Sequence, residues 1–96
     1  MNIYVDIDNT ICLTDGMNYA EATPIHENIK KINKLYNEGH QINYWTARGT
    51  VTKKDFYELT YNQLISWDCK FHSLSVGEKP AYDLLICDKT KRIEEI

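Results

Sequence analysis

Apolar residues along the chain fall into two periods, and the points where one gives way to the other mark its elements. Residues 2–7, Asn-Ile-Tyr-Val-Asp-Ile, alternate Ile3, Val5 and Ile7 with Tyr4 and Asp6 but are apolar almost throughout. A strand covered on both faces reads this way. From Thr10 to Thr23 the period dissolves, with a turn signal at Asp15-Gly16, which predicts a flap loop or small hairpin. Thr23-Pro24 reads as a helix start, Thr capping and Pro at the first helical position. Ile25, Ile29, Ile32, Leu35 and Tyr36 then form one helical stripe, which Gly39 ends as a left-handed cap. Gln41 to Thr46 is a second short strand.

The remainder repeats the scheme. Ala47-Arg48-Gly49-Thr50 is a loop, and Thr52-x-x-Asp55 resembles a capping box that opens a second helix with the stripe Phe56, Leu59, Leu64 and Trp67. Phe71 to Val76 predicts a third strand at an edge, and Gly77 to Ala81 a turn. Leu84-Leu85-Ile86-Cys87 is an apolar run ending at Asp88, the design of the first strand again. Lys89 to Ile96 is charged and fits a short terminal helix. Strands alternating with helices through short turns imply right-handed crossovers and a parallel sheet.

Composition narrows the class without changing that picture. The 96 residues suit one small domain with no room for a separate substrate-binding domain. A hydrophobic content of 43% with 26% charged residues is ordinary for a folded protein and argues against disorder. Eleven basic against 14 acidic residues give a net charge of -3, which argues against a nucleic-acid or anionic-membrane partner. Cysteines 12, 69 and 87 are scattered with no CxxC pair, so the expectation is reduced cytosol without a disulfide framework or zinc site. Acids at positions 6 and 8, with no long apolar stretch after them, predict neither a signal peptide nor a membrane span.

In a parallel α/β sheet the carboxyl ends of the strands share one rim, where ligands bind. That rule gathers Asp6, Asp8, Thr46 and Asp88, with Lys79 in the loop before the last strand. Carboxylates so grouped repel one another, and Mg²⁺ is the natural compensation for hard oxygen donors. A hydroxyl donor and a lysine complete what a phosphoryl group needs, and a carboxylate can serve as nucleophile through an aspartyl-phosphate.

Asp6-Ile7-Asp8-Asn9-Thr10 matches the DxDx[TV] signature of the haloacid dehalogenase (HAD) superfamily, mostly Mg²⁺-dependent phosphatases. Thr46, Lys79 and Asp88 resemble its second, third and fourth motifs, and the likeness spans the chain in order. Tyr44-Trp45-Thr46-Ala47-Arg48-Gly49 and Gly77-x-Lys79-Pro80-x-Tyr82-Asp83 look similar to short capless members encoded with bacterial capsule or surface-polysaccharide genes. The resemblance implies that Asp6 attacks phosphorus, while Asp8 protonates the leaving oxygen and then activates water. It implies Mg²⁺ held by Asp6, the Asp8 carbonyl and Asp88. Thr46 and the amides around Asn9 would grip the phosphoryl oxygens, a substrate-binding group that takes in Thr10, Ala47 and Arg48, and Lys79 would offset the charge on Asp6. The second acid favours phosphate-ester hydrolysis over dehalogenation. The sequence departs from the family in carrying Lys91 and Arg92 where a second fourth-motif acid often stands, with water or Asp83 as substitute, and in stopping before a fifth strand.

Singly, each residue has a plainer reading. Asp88 alone is a turn residue, Thr46 a β-branched strand residue, Lys79 a solvated turn, and Arg48 equally a phosphate clamp or a surface arginine. Two acids flanking Ile7 at a buried strand end are harder to dismiss. His72 is placed facing the site, and His26 and His40 at helix ends. Tyr44, Trp45 and Trp67 are core residues. The combined expectation is a Rossmann-like three-layer α/β sandwich with a short parallel sheet, its strands in the order 3-2-1-4, and no cap domain. Its function is Mg²⁺-dependent hydrolysis of a small phosphorylated substrate, a phosphosugar on resemblance, with the open site covered either by a bulky substrate or by a neighbouring subunit. The rivals are a nucleotidase or polynucleotide-end phosphatase and a non-catalytic phosphate or metal binder.

Overall fold

In chain order the elements are β1 (Asn2–Asp6), β2 (Cys12–Leu13), a 3-10 turn (Tyr19–Glu21), β3 (Thr23–Pro24), α1 (His26–Asn37), β4 (Gln41–Thr46), α2 (Tyr57–Ser66), β5 (Ser73–Val76) and β6 (Leu84–Ile86). They come from a computed structural model that describes residues 1–49 and 54–77 and the backbone of 84–86. Thr50, Thr52, the turn after Gly77, Lys79, Asp83, Cys87, Asp88, Lys91, Arg92 and the charged C-terminal stretch lie outside the described residues.

Four strands form a sheet in the order β5-β4-β1-β6, every neighbouring pair parallel. Register sets Ile3 beside Ile42 and Val5 beside Tyr44, and Tyr44 in turn beside Leu74. These side chains share one face with Ile7. Against it pack Ile29 and Ile32 of α1, Leu64 of α2, and Cys69, one continuous buried core. Asn33 of α1 fastens the two helices together, its Nδ2 donating to the Asp68 carbonyl (2.9 Å) and its Oδ1 accepting from the Lys70 amide (2.8 Å).

Both helices therefore lie on the same face of the sheet. The chain steps from β1 to β4 to β5 in one direction across the sheet, and right-handed crossovers in one direction put every helix on one side. The opposite face carries a polar ladder instead. Asn43 Nδ2 donates to Asn2 Oδ1 (2.5 Å), and Ser73 Oγ donates to Asn43 Oδ1 (2.6 Å), so Asn43 is buried with its amide satisfied.

Thr23-Pro24 does not start a helix. It pairs antiparallel with Cys12-Leu13 as β3, and α1 begins at His26 with no side-chain cap. Proline can sit in this two-residue edge pairing because its missing donor is not needed there. The stretch expected as a flap loop or hairpin thus becomes a hairpin whose base is this pair.

Both helices close in the same way. The Gly39 amide bonds the Tyr36 carbonyl and the His40 amide bonds that of Leu35, with Gly39 at φ 98°. At the end of α2 the Asp68 and Cys69 amides bond Ile65 and Leu64 in the same pattern, with Asp68 at φ 61°. Ahead of α2, whose N-cap residue is Phe56, Asp55 Oδ1 accepts from the Tyr57 amide at 2.9 Å. No helix among the described residues is long and apolar enough to cross a membrane.

Candidate active site

Beyond β1 the chain folds back sharply. The Thr10 and Ile11 amides both bond the Ile7 carbonyl (3.2 and 3.1 Å), Asn9 adopts φ 64°, and its amide reaches the Cys12 carbonyl at 2.8 Å. Asn tolerates that left-handed conformation better than most residues. The reversal sets Thr14 over Asp8, and Thr14 Oγ1 donates to Asp8 Oδ1 at 2.7 Å.

At the neighbouring strand end, Thr46 Oγ1 donates to Asp8 Oδ2 at 3.1 Å and accepts from the Arg48 amide at 3.2 Å. Arg48 then completes the group. Its Nη2 reaches Asp8 Oδ1 at 2.7 Å and its Nε reaches Asp8 Oδ2 at 3.0 Å, a two-pronged ion pair. Its Nη1 donates to Thr60 Oγ1 (3.1 Å) and Gln63 Oε1 (2.6 Å) on α2. Its guanidinium carbon stands 4.8 Å from the centre of the Tyr19 ring, a cation–π distance. Only 1% of Arg48 is exposed, so it is not the surface arginine that is one of its two readings.

Burial of the Asp8 carboxyl acts to raise its pKa. The hydrogen bonds from Arg48 and Thr14, the Arg48 charge and the Thr46 hydroxyl outweigh that and hold it below the ordinary value, so Asp8 rests as a carboxylate. Its compensating cation is thus already present as Arg48. Burial also raises the Cys12 thiol, which lies 3.8 Å from Asp8 Oδ1.

Of the other expected residues, Asp6 is the half-buried last residue of β1, in register with Trp45. Thr10 is buried with its hydroxyl unpartnered, its carbonyl accepting from Asn28 Nδ2 at 2.9 Å. Asn9 and Ala47 are exposed on the same loops. Lys79 and Asp88 lie outside the described residues. His72 is not at this rim. It precedes β5, its Nδ1 accepting from the Ile42 amide (3.0 Å) near the amino end of β4, and its ring stacks on Tyr36.

Sequence reasoning missed Thr14, Tyr19, Thr60 and Gln63. The Thr60 hydroxyl interrupts the apolar face of α2 and was the one signal that a polar partner would meet it there.

Among the described residues no three His, Cys, Asp or Glu side chains converge as a metal group. The donor chemistry still suits a hard cation in part. The Asp8 side chain is engaged by Arg48, Thr14 and Thr46, so a Mg²⁺ ion held as the resemblance implies would meet the Asp8 backbone carbonyl rather than that side chain, with Asp6 and Asp88 the other expected donors.

No family model and no curated protein matches the chain. A crystal structure of a structural-genomics target from Vibrio cholerae is similar to it with a TM-score of 0.73 at 19% sequence identity, covering 83% of this chain and 72% of that one. At that identity the similarity is one of fold.

Proposed function

We propose that the chain is a Mg²⁺-dependent phosphomonoesterase of the HAD type, built as a Rossmann-like domain without a cap and acting through an aspartyl-phosphate. The observation that carries the reading is the convergence of Asp8, Thr46 and Arg48 at the carboxyl ends of two adjacent parallel strands, with Asp6 two residues before Asp8. This is where an open parallel sheet receives its ligands.

In this reading an Asp6 oxygen forms a bond to phosphorus as the ester oxygen leaves. Asp8 first takes up a proton from solvent and gives it to that oxygen, and the resulting Asp8 carboxylate takes a proton from the water that next attacks phosphorus and frees Asp6. Thr46 positions the Asp8 carboxylate through its hydroxyl. Asp6, the Asp8 carbonyl and Asp88 would hold Mg²⁺, which would supply positive charge against the phosphoryl oxygens, and Lys79 would offset the charge of Asp6. The substrate is a small phosphate ester, with a phosphosugar favoured by the resemblance and a nucleotide or polynucleotide end as rivals. The protein works in the cytoplasm, and a second subunit shields the site from water.

Hydrolysis of p-nitrophenyl phosphate with and without Mg²⁺ tests the activity, and Asp6→Asn should abolish it. A panel of phosphometabolites and phosphate-ended oligonucleotides then separates the substrates. One observation favours a second reading, a non-catalytic phosphate or metal binder: the acid assigned to proton transfer is held ionised by a buried arginine. Calorimetric Mg²⁺ binding without turnover on any phosphoester would select it.

A further inference from the structure

Arg48 has the chemistry of a phosphate clamp but the surroundings of a core residue. All three guanidinium nitrogens are engaged by Asp8, Thr60 and Gln63, the Tyr19 ring covers the group, and 1% of the residue is exposed. An anion could reach it only by displacing these partners.

Gln63 extends the link. Its Oε1 accepts from Arg48 Nη1 at 2.6 Å while its Nε2 donates to the Tyr19 carbonyl at 2.6 Å, so one side chain ties Arg48 to the segment crossing over Asp8. Thr14, on the same hairpin, meets Asp8 from the other side, and Tyr19 packs edge-on against Phe56 with ring centres 5.1 Å apart. The direction of the Asp8 carboxylate, the seat of residues 14–22 and the start of α2 thus share one set of bonds.

We infer that Arg48 is a positioning residue: from inside the protein it aims the Asp8 carboxylate and couples that aim, through Gln63 and Tyr19, to the hairpin above it, without meeting the phosphoryl group. Its catalytic consequence rests on the phosphatase reading, whereas the coupling does not. A fork that fixes a carboxylate in one orientation acts on the chemical step and leaves ground-state substrate binding alone.

The test compares the full-length wild type with Arg48→Lys, which keeps the charge and loses the fork, and Gln63→Ala, which keeps the ion pair and cuts the tie to Tyr19. Two readouts are taken: kcat and KM for p-nitrophenyl phosphate at saturating Mg²⁺, and amide hydrogen exchange at Asn18, Glu21 and Ala22, whose amides bond within the hairpin. Expected are a kcat lower by about 100-fold in Arg48→Lys and about 5-fold in Gln63→Ala, with KM within about twofold. Exchange at the three amides should quicken about tenfold or more in both. A KM raised about tenfold with kcat unchanged would make Arg48 a substrate ligand and overturn the inference. Unchanged exchange in Gln63→Ala, a variant that does not disturb the ion pair, would overturn the coupling. A wild type without turnover defeats the phosphatase reading alone, and the exchange data then decide the coupling.

Discussion

Arg48 Nη2 lies 2.7 Å from Asp8 Oδ1 across forty residues of chain, with Arg48 fully buried and Asp8 about one-fifth exposed. A buried charge is tolerable only with such a partner, so the two residues stand or fall together.

Removing one partner should cost far more than removing both. Arg48→Met leaves a part-buried carboxylate with only hydroxyl and thiol donors and should destabilise by about 3 kcal/mol. The double variant Asp8→Asn/Arg48→Met should recover most of that loss. Urea unfolding of the four proteins measures the coupling, and additive losses would show that the pair does not interact in solution.

The ion pair also fixes the sign of an acid transition. The folded pKa of Asp8 is lowered, so its contribution is full above the ordinary carboxylate value of about 4 and is lost as pH falls through the folded value. Thermal unfolding at stepped pH should therefore show wild type losing stability below about pH 4 more steeply than the double variant. Parallel curves would count against the pairing.

Gly49 follows Arg48 at φ 88°, and a Cβ there would stand 2.2 Å from the Lys54 carbonyl oxygen. Backbone cannot yield as a flexible side chain does. Gly49→Ala should cost about 2 kcal/mol or more and loosen the turn that delivers Arg48. Denaturation measures the first effect, and exchange at the Arg48 amide measures the second.

Asp68 occupies at the end of α2 the left-handed position that Gly39 occupies after α1. Its side chain is not needed for the closing bonds, which are made by backbone amides. Asp68→Gly should stabilise by about 0.5–1 kcal/mol through relief of that conformation. A loss of stability in urea would mean that the carboxylate has a role of its own.

Tyr44 is buried in the core with its hydroxyl beside the Cys69 thiol, a weak partner, and makes no hydrogen bond of good geometry. Burial raises the phenol well above its ordinary pKa and pushes the Cys69 thiol up to about 12. Tyr44→Phe should then be neutral or stabilising by up to about 1 kcal/mol, since it removes an unsatisfied polar group. Destabilisation by more than that would reveal a hydrogen bond the geometry does not contain.

Local pattern was enough for several features. Ile3, Val5 and Ile7 announce a central strand, Gly39 the end of α1, and Ile29 and Ile32 its buried face, because each follows from periodicity or from φ at one residue. The gathering of Asp8 and Thr46 at one rim needed only the parallel-sheet rule. Thr23-Pro24 carries good local signals for a helix start, yet it pairs with Cys12-Leu13, since backbone partners 10 and 12 residues away outweigh a capping preference of about 1 kcal/mol. Arg48 is the sharper case. In sequence it reads equally as a phosphate clamp or a surface arginine, and the side chains its guanidinium meets stand 12, 15 and 40 residues away. Compensation for its burial comes from Asp8, Thr60 and Gln63, which only the packing of β1 and α2 around one strand end brings within reach.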